Sequence, residues 1–80
     1  MKRPRDLSAR ELVRALAALG YRPTRQTGSH IRLTTERGGQ HHITIPAAKR
    51  LTIGKVNAVI WELVRHFQMD KKEILEDVFP

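Results

Sequence analysis

The tripeptide Gly28-Ser29-His30 sets one histidine at the head of an alternating segment, in an 80-residue chain with 15 Lys+Arg against 8 Asp+Glu. An unperturbed imidazole titrates at about pH 6.5, so near neutrality it can take a proton from a hydroxyl or return one to a leaving oxygen. In a basic field, that chemistry points to a polyanionic substrate. Arg32 lies two residues further on and shares a face with His30 in an extended chain. The next strand-like segment can bring His42 and Thr44 beside them. Arg25, Lys49, Arg50 and Lys55 are the other cations placed to meet phosphate, and the last three flank the loop and helix start after Pro46, where free backbone donors are also expected. One proton-transfer group supplies about 10²–10⁴ in rate, which leaves Arg and Lys to stabilise charge developing on phosphorus.

The remaining reactive side chains have plainer readings. Ser29 and His30 are neighbours in an extended chain and point to opposite faces, so Ser29 is poorly placed as a nucleophile and is read as a turn hydroxyl that also borders the phosphate path. His41-His42 fails as a metal pair for the same reason, and the chain has no cysteine and no paired carboxylates at ligand spacing. No metal site and no cofactor are expected. His66 reads as a last-turn cation that complements a helix dipole. Trp61 either covers the edge of a small core or belongs to a partner surface.

The charge is unevenly distributed. Residues 70–80 hold two Lys and four Asp/Glu, leaving thirteen basic and four acidic residues in 1–69. The body of the domain is therefore the cationic part, and the four aromatic residues of the whole chain are too few for base stacking to dominate recognition. Eighty residues imply one domain, 1–80, with a core near the lower limit for a chain without metal or disulfide staples. The sequence has no long apolar run and its first ten residues contain no apolar leader segment, which leads to the expectation of a soluble cytoplasmic protein without a membrane partner.

Two kinds of element must position these groups. Residues 1–6 read as a mobile basic lead-in. Ser8-Ala9-Arg10-Glu11 is a capping box, with Leu7 and Leu12 placed as a hydrophobic staple. Leu12, Leu16 and Leu19 make a helical stripe that Gly20 terminates in a left-handed turn. From Tyr21 to Pro46 the period changes to two, which predicts a three-stranded antiparallel meander. Its first strand, Tyr21 to Gln26, belongs on an edge because Pro23 cannot donate to a ladder. Ile31, Leu33, Ile43 and Ile45 face inward, and His30, Arg32 and Thr34 face an open polar side. A second helix from Gly54 to Phe67 buries Val56, Val59, Ile60, Leu63 and Phe67, and Asp70-Lys71-Lys72-Glu73 caps a short third helix. The expected class is α+β, with helices on one face of the sheet.

Glu11-Leu12-Val13 through Leu19-Gly20-Tyr21, then Arg25-Gln26-Thr27-Gly28-Ser29-His30, then Ile43-Thr44-Ile45-Pro46, then Gly54 opening a helix, resembles the HicA (YcfA-like) family of toxins over residues 7–67. The resemblance implies a small double-stranded-RNA-binding-domain-like α-β-β-β-α fold and a metal-independent endoribonuclease that cleaves mRNA through the histidine of the G-S-H motif, here His30. It also implies a HicB-type antitoxin that binds the toxin, suppresses cleavage and, as a complex, represses its own promoter, so operator DNA is met only indirectly. Two features depart from the pattern. Relatives often carry a histidine shortly after the proline that closes the third strand, whereas this chain reads Pro46-Ala47-Ala48-Lys49, so any phosphate-binding part of that histidine falls to Lys49 or is absent. The extension 70–80 is the other departure: it can cap the core, support an oligomer or touch the antitoxin. Apart from the resemblance, the same basic face also suits a non-catalytic RNA-binding module in which His30 is incidental, or, with Trp61 as an anchor, a protein-docking domain.

Overall fold

The computed structural model describes residues 7–80, and the basic lead-in of residues 1–6 lies outside the described residues. The first helix, α1, spans Ala9–Leu16. Both arms of its capping box are made: Glu11 N–H donates to Ser8 Oγ at 3.1 Å, and Ser8 N–H donates to Glu11 Oε1 at 3.0 Å. Leu7 and Leu12 are both buried. The helix tightens into a 3-10 turn over Ala17–Leu19 and stops at Gly20, whose φ is 84°.

That stop is locked by residues distant in sequence. The Thr35 hydroxyl donates to the Leu19 carbonyl at 2.9 Å, and Arg37 Nη1 donates to the Ala18 carbonyl at 2.9 Å. A Cβ at Gly20 would lie 2.8 Å from Thr35 Oγ1. Gly20→Ala therefore combines a left-handed backbone with a clash against a fully buried hydroxyl, and urea unfolding is expected to show a loss of about 1–3 kcal/mol. An unchanged unfolding midpoint would show that the turn adjusts freely.

Strands β1 (Arg22–Thr27), β2 (His30–Thr35) and β3 (His41–Pro46) form an antiparallel meander in the order β1-β2-β3. Pro23 lies on an edge strand, as its missing N–H requires. The first ladder carries a bulge: Pro23 pairs with Leu33, but Arg25 pairs with Arg32, so Thr24 is the extra residue. Were Thr24 paired with Arg32 in a regular ladder, Arg25 would oppose Ile31 and point to the other face. The bulge thus turns Arg25 onto the face that carries His30 and Arg32.

Helices α2 (Ile53–Phe67) and α3 (Lys71–Val78) complete the chain. Thr52 caps α2 by accepting from Lys55 N–H at 3.1 Å, so the helix begins at Ile53, one residue before the predicted Gly54, and Gln68 in the left-handed conformation ends it. Asp70 and Glu73 form the second capping box. α1, α2 and α3 share one core with the inner sheet face, containing Leu12, Leu16, Leu33, Ile43, Ile45, Val56, Ile60, Leu63, Ile74 and Val78. Phe67 is only partly buried, at the margin of that core. The expected α+β architecture, a three-stranded sheet with helices on one face, is the observed one.

Candidate active site

His30 opens β2 immediately after the Gly28-Ser29 turn. Glycine supplies the positive φ of 58° at position 28, and the Ser29 carbonyl accepts from Ala47 N–H at 2.6 Å, which ties the turn to the chain leaving β3. His30 is exposed, opposite Thr27 on β1 and Pro46 on β3. A shallow depression of about 200 Å³ lies beside it, lined by Arg25, Thr27, His30, Arg32 and Thr44. Among the described residues, no carboxylate lines it.

Two features leave the cations of this depression unsatisfied by the described residues. Arg25 and Arg32 are directly paired across the ladder, and like charges placed opposite one another destabilise a sheet. Arg32 Nε is buried without a hydrogen-bond partner among the described residues, a position that ordinarily costs about 1–3 kcal/mol. Among the described residues, Thr27 and Thr44 bring hydroxyls to the depression, and no counter-charge lines it.

The structure does not gather every expected residue here. His42 pairs with Thr34, two positions along the ladder beyond the Arg32–Thr44 pair, and its Nδ1 lies 2.8 Å from Thr34 Oγ1. Thr34 Oγ1 also meets Thr24 Oγ1 at 2.7 Å. This three-strand hydroxyl–imidazole chain covers the outer face at the end remote from His30, so Thr34, expected to be open to solvent, is only 3% exposed. Lys49 is on the helical side of the sheet, in a depression with Arg10 and Ile31. Backbone bonds from Ala9 N–H to the Ala48 carbonyl and from Leu51 N–H to the Leu7 carbonyl hold the 47–51 loop against α1 and carry Lys49 there. Arg50 is exposed on the same loop and lines neither depression at His30. Lys55 does approach His30, across a second cleft that also contains Thr44, Pro46 and Glu62.

Glu62 was not among the sequence candidates. Its signal was its position seven residues after Lys55, two turns along one face of a helix. Trp61 is 46% exposed, with Lys71 Nζ 5.0 Å from its ring centroid, so it stands outside the core.

The family model described as HicA toxin of bacterial toxin-antitoxin matches residues 9–63. The chain belongs to the HicA toxin family. It is accordingly the toxin type of a toxin–antitoxin pair, in a family whose members are generally ribonucleases. The match takes in α1, the whole sheet and most of α2, so the HicA region contains His30 and both depressions beside it. α3 lies beyond it, yet Ile74, Val78 and Phe79 are buried in the common core. No curated protein and no solved structure matches the chain.

Among the described residues, no group of three or more His, Cys, Asp or Glu side chains is placed to hold a metal ion, and no helix is long and apolar enough to cross a membrane. The remaining histidines of this HicA chain have structural partners. His66 Nε2 donates to the Arg37 carbonyl at 2.9 Å, and its ring stacks on His41 with centroids 4.4 Å apart. The Tyr21 hydroxyl lies 2.7 Å from His41 Nδ1. Burial, with a smaller push from Glu62, raises the Tyr21 pKa to about 12, so the phenol stays protonated and its O–H donates a hydrogen bond to neutral His41.

Burial first, then His66, holds the His41 pKa below its ordinary 6.5; Glu62 acts in the opposite direction and His42 adds a further downward push. The folded state therefore keeps His41 neutral while the unfolded chain takes up a proton. Stability is complete above the unfolded pKa and is lost as pH falls from about 6.5 toward the lower folded value. Thermal melting is expected to weaken between about pH 7 and 5, with a shallower slope in His41→Phe despite its lower starting stability. Equal slopes in the two proteins would remove His41 as the cause.

Proposed function

We propose that this HicA toxin is an endoribonuclease that cleaves mRNA in the cytoplasm, with His30 as the proton-transfer group. The observation that carries the reading is the company of His30: a cross-strand Arg25–Arg32 pair and two threonines in a depression without a carboxylate. A phosphodiester relieves the opposed guanidinium charges and supplies the negative charge that the described residues do not bring to this point.

The imidazole takes the proton of a ribose 2′-hydroxyl, the 2′-oxygen attacks the adjacent phosphorus, and the bond to the 5′-oxygen breaks. The leaving 5′-oxygen takes up a proton from the imidazolium or from water, and the products are a 2′,3′-cyclic phosphate and a 5′-hydroxyl. Arg25 and Arg32 stabilise the extra negative charge on the phosphorane oxygens. Because the nucleophile belongs to the substrate, the scheme requires neither a metal ion nor a cofactor. Ser29 acts through its turn, by presenting His30. Lys55 flanks the reacting phosphate, while Lys49 and Arg50 contact more distant phosphates of the same strand.

The antitoxin of the pair is a HicB-type protein that covers His30 and the surrounding cations with carboxylates, excluding RNA by competition. Operator DNA is bound by the complex through the antitoxin. Incubating the purified protein with a single-stranded mRNA fragment tests the reading. Fragments ending in 2′,3′-cyclic phosphate are expected, with cleavage suppressed by the antitoxin. RNA that is bound in a salt-dependent way but remains intact would instead establish a binding module.

A further inference from the structure

His30 and Thr44 line two depressions, not one. The first holds Arg25 and Arg32 and is purely cationic. The second is a cleft of about 180 Å³ between the end strand β3 and helix α2, with a different lining. Ile45, Leu51 and Val59 make an apolar floor, Pro46 forms a wall beside His30, and Lys55, Ala58 and Glu62 come from one face of α2. The cleft exists because the middle residue of that face is alanine: a longer side chain at position 58 would fill it.

A nucleotide has an anionic end and a flat, largely apolar end with polar edges. The two depressions have the same division. A carboxylate repels phosphate, so the phosphodiester belongs with the arginines and the base belongs in the cleft, with the ribose at the His30–Thr44 junction. A ring seated between Pro46 and the α2 face rests on apolar surface and presents its Watson–Crick edge to the polar residues. Glu62 is half-buried, and its carboxylate makes no hydrogen bond or ion pair among the described residues.

We propose that this cleft is a nucleobase subsite in which Glu62 selects guanine, an inference that rests on the ribonuclease reading of His30. An ionised carboxylate only accepts hydrogen bonds. Guanine offers it two adjacent N–H donors, at N1 and at the exocyclic amine. Uracil flanks its single N–H with two carbonyls that the carboxylate repels, and adenine and cytosine each set one amine beside a ring acceptor. Discrimination of roughly tenfold or more between guanine and uracil is expected from such a bidentate contact.

The full chain is titrated with guanosine 3′-monophosphate and with uridine 3′-monophosphate while backbone amide resonances are followed. Both nucleotides are expected to shift the amides of Arg25 and Arg32, and guanosine monophosphate alone those of Ala58 and Glu62, with the tighter binding. Glu62→Gln is expected to remove the difference between the nucleotides, and Ala58→Leu to close the cleft while the arginine shifts persist. Equal affinities, or a guanine preference that survives Glu62→Gln, would overturn the subsite, and Glu62→Gln decides the matter even if Ala58→Leu misfolds. RNA cleavage by wild type and His30→Ala is measured in parallel. His30-dependent cleavage with no base preference in binding rejects the subsite alone, whereas guanine-selective binding without cleavage rejects the ribonuclease reading alone.

Discussion

His30→Ala is expected to lower RNA cleavage by about 10²–10⁴ and to abolish growth arrest when the protein is produced without its antitoxin. The imidazole is exposed and makes no hydrogen bond within the described residues. Its removal leaves no buried group unpaired and no cavity, so stability should change by no more than about 0.5 kcal/mol. That separation makes the experiment informative, since lost activity cannot be attributed to a lost fold. Inducing wild type and His30→Ala in separate cultures, with total mRNA integrity and the melting temperature of each purified protein, provides the comparison. Equal mRNA decay in the two cultures would reject His30 as the proton-transfer group.

Removing residues 70–80 is expected to unfold the domain. Ile74, Val78 and Phe79 are buried at 0%, 3% and 5% exposure in the same core as Leu12 and Leu16. Each buried side chain of this size contributes about 1.5–3 kcal/mol, so together they approach the whole stability of a domain this small. Circular dichroism of the truncated chain should show the loss of cooperative melting. A truncated protein that melts cooperatively near the wild-type temperature would reassign the extension to a partner surface. Of the three roles left open by sequence, capping the core is the one its buried side chains support.

Local signals were legible where one residue's own chemistry settles the conformation. Ser8 with Glu11, Asp70 with Glu73 and Gly20 each fix a helix end through backbone donors or a positive φ, and all three lie where spacing placed them. The strict alternation of Ile31, Leu33, Ile43 and Ile45 likewise set the inner face of the sheet. His30 stood out for a related reason, since a glycine turn at the head of a strand leaves the next side chain exposed at an end.

Neighbour relations across the fold were another matter. Alternation told that His42 and Thr44 share a face with His30, but not the register, which brings Thr44 to Arg32 and takes His42 to Thr34. Lys49 read as a phosphate ligand because it follows β3 closely, yet three backbone hydrogen bonds fold its loop against α1 and the turn at Ser29. The stacked His41–His66 pair joins residues twenty-five positions apart, and no local pattern encodes such a contact.

By itself, then, the sequence determined the order of elements, the caps of α1 and α3, the inward face of the sheet, the family and the candidate histidine, because each depends on backbone propensity, period or a contiguous motif. Tertiary structure alone decided which cations from other segments join Arg32 beside His30. The bulge at Thr24 reverses the facing of β1 and sets Arg25 against Arg32, and the packing of α2 beside β3 brings Lys55 and Glu62 to the opposite wall. Both outcomes depend on distances between segments far apart in the chain, which register and packing fix only when the core closes.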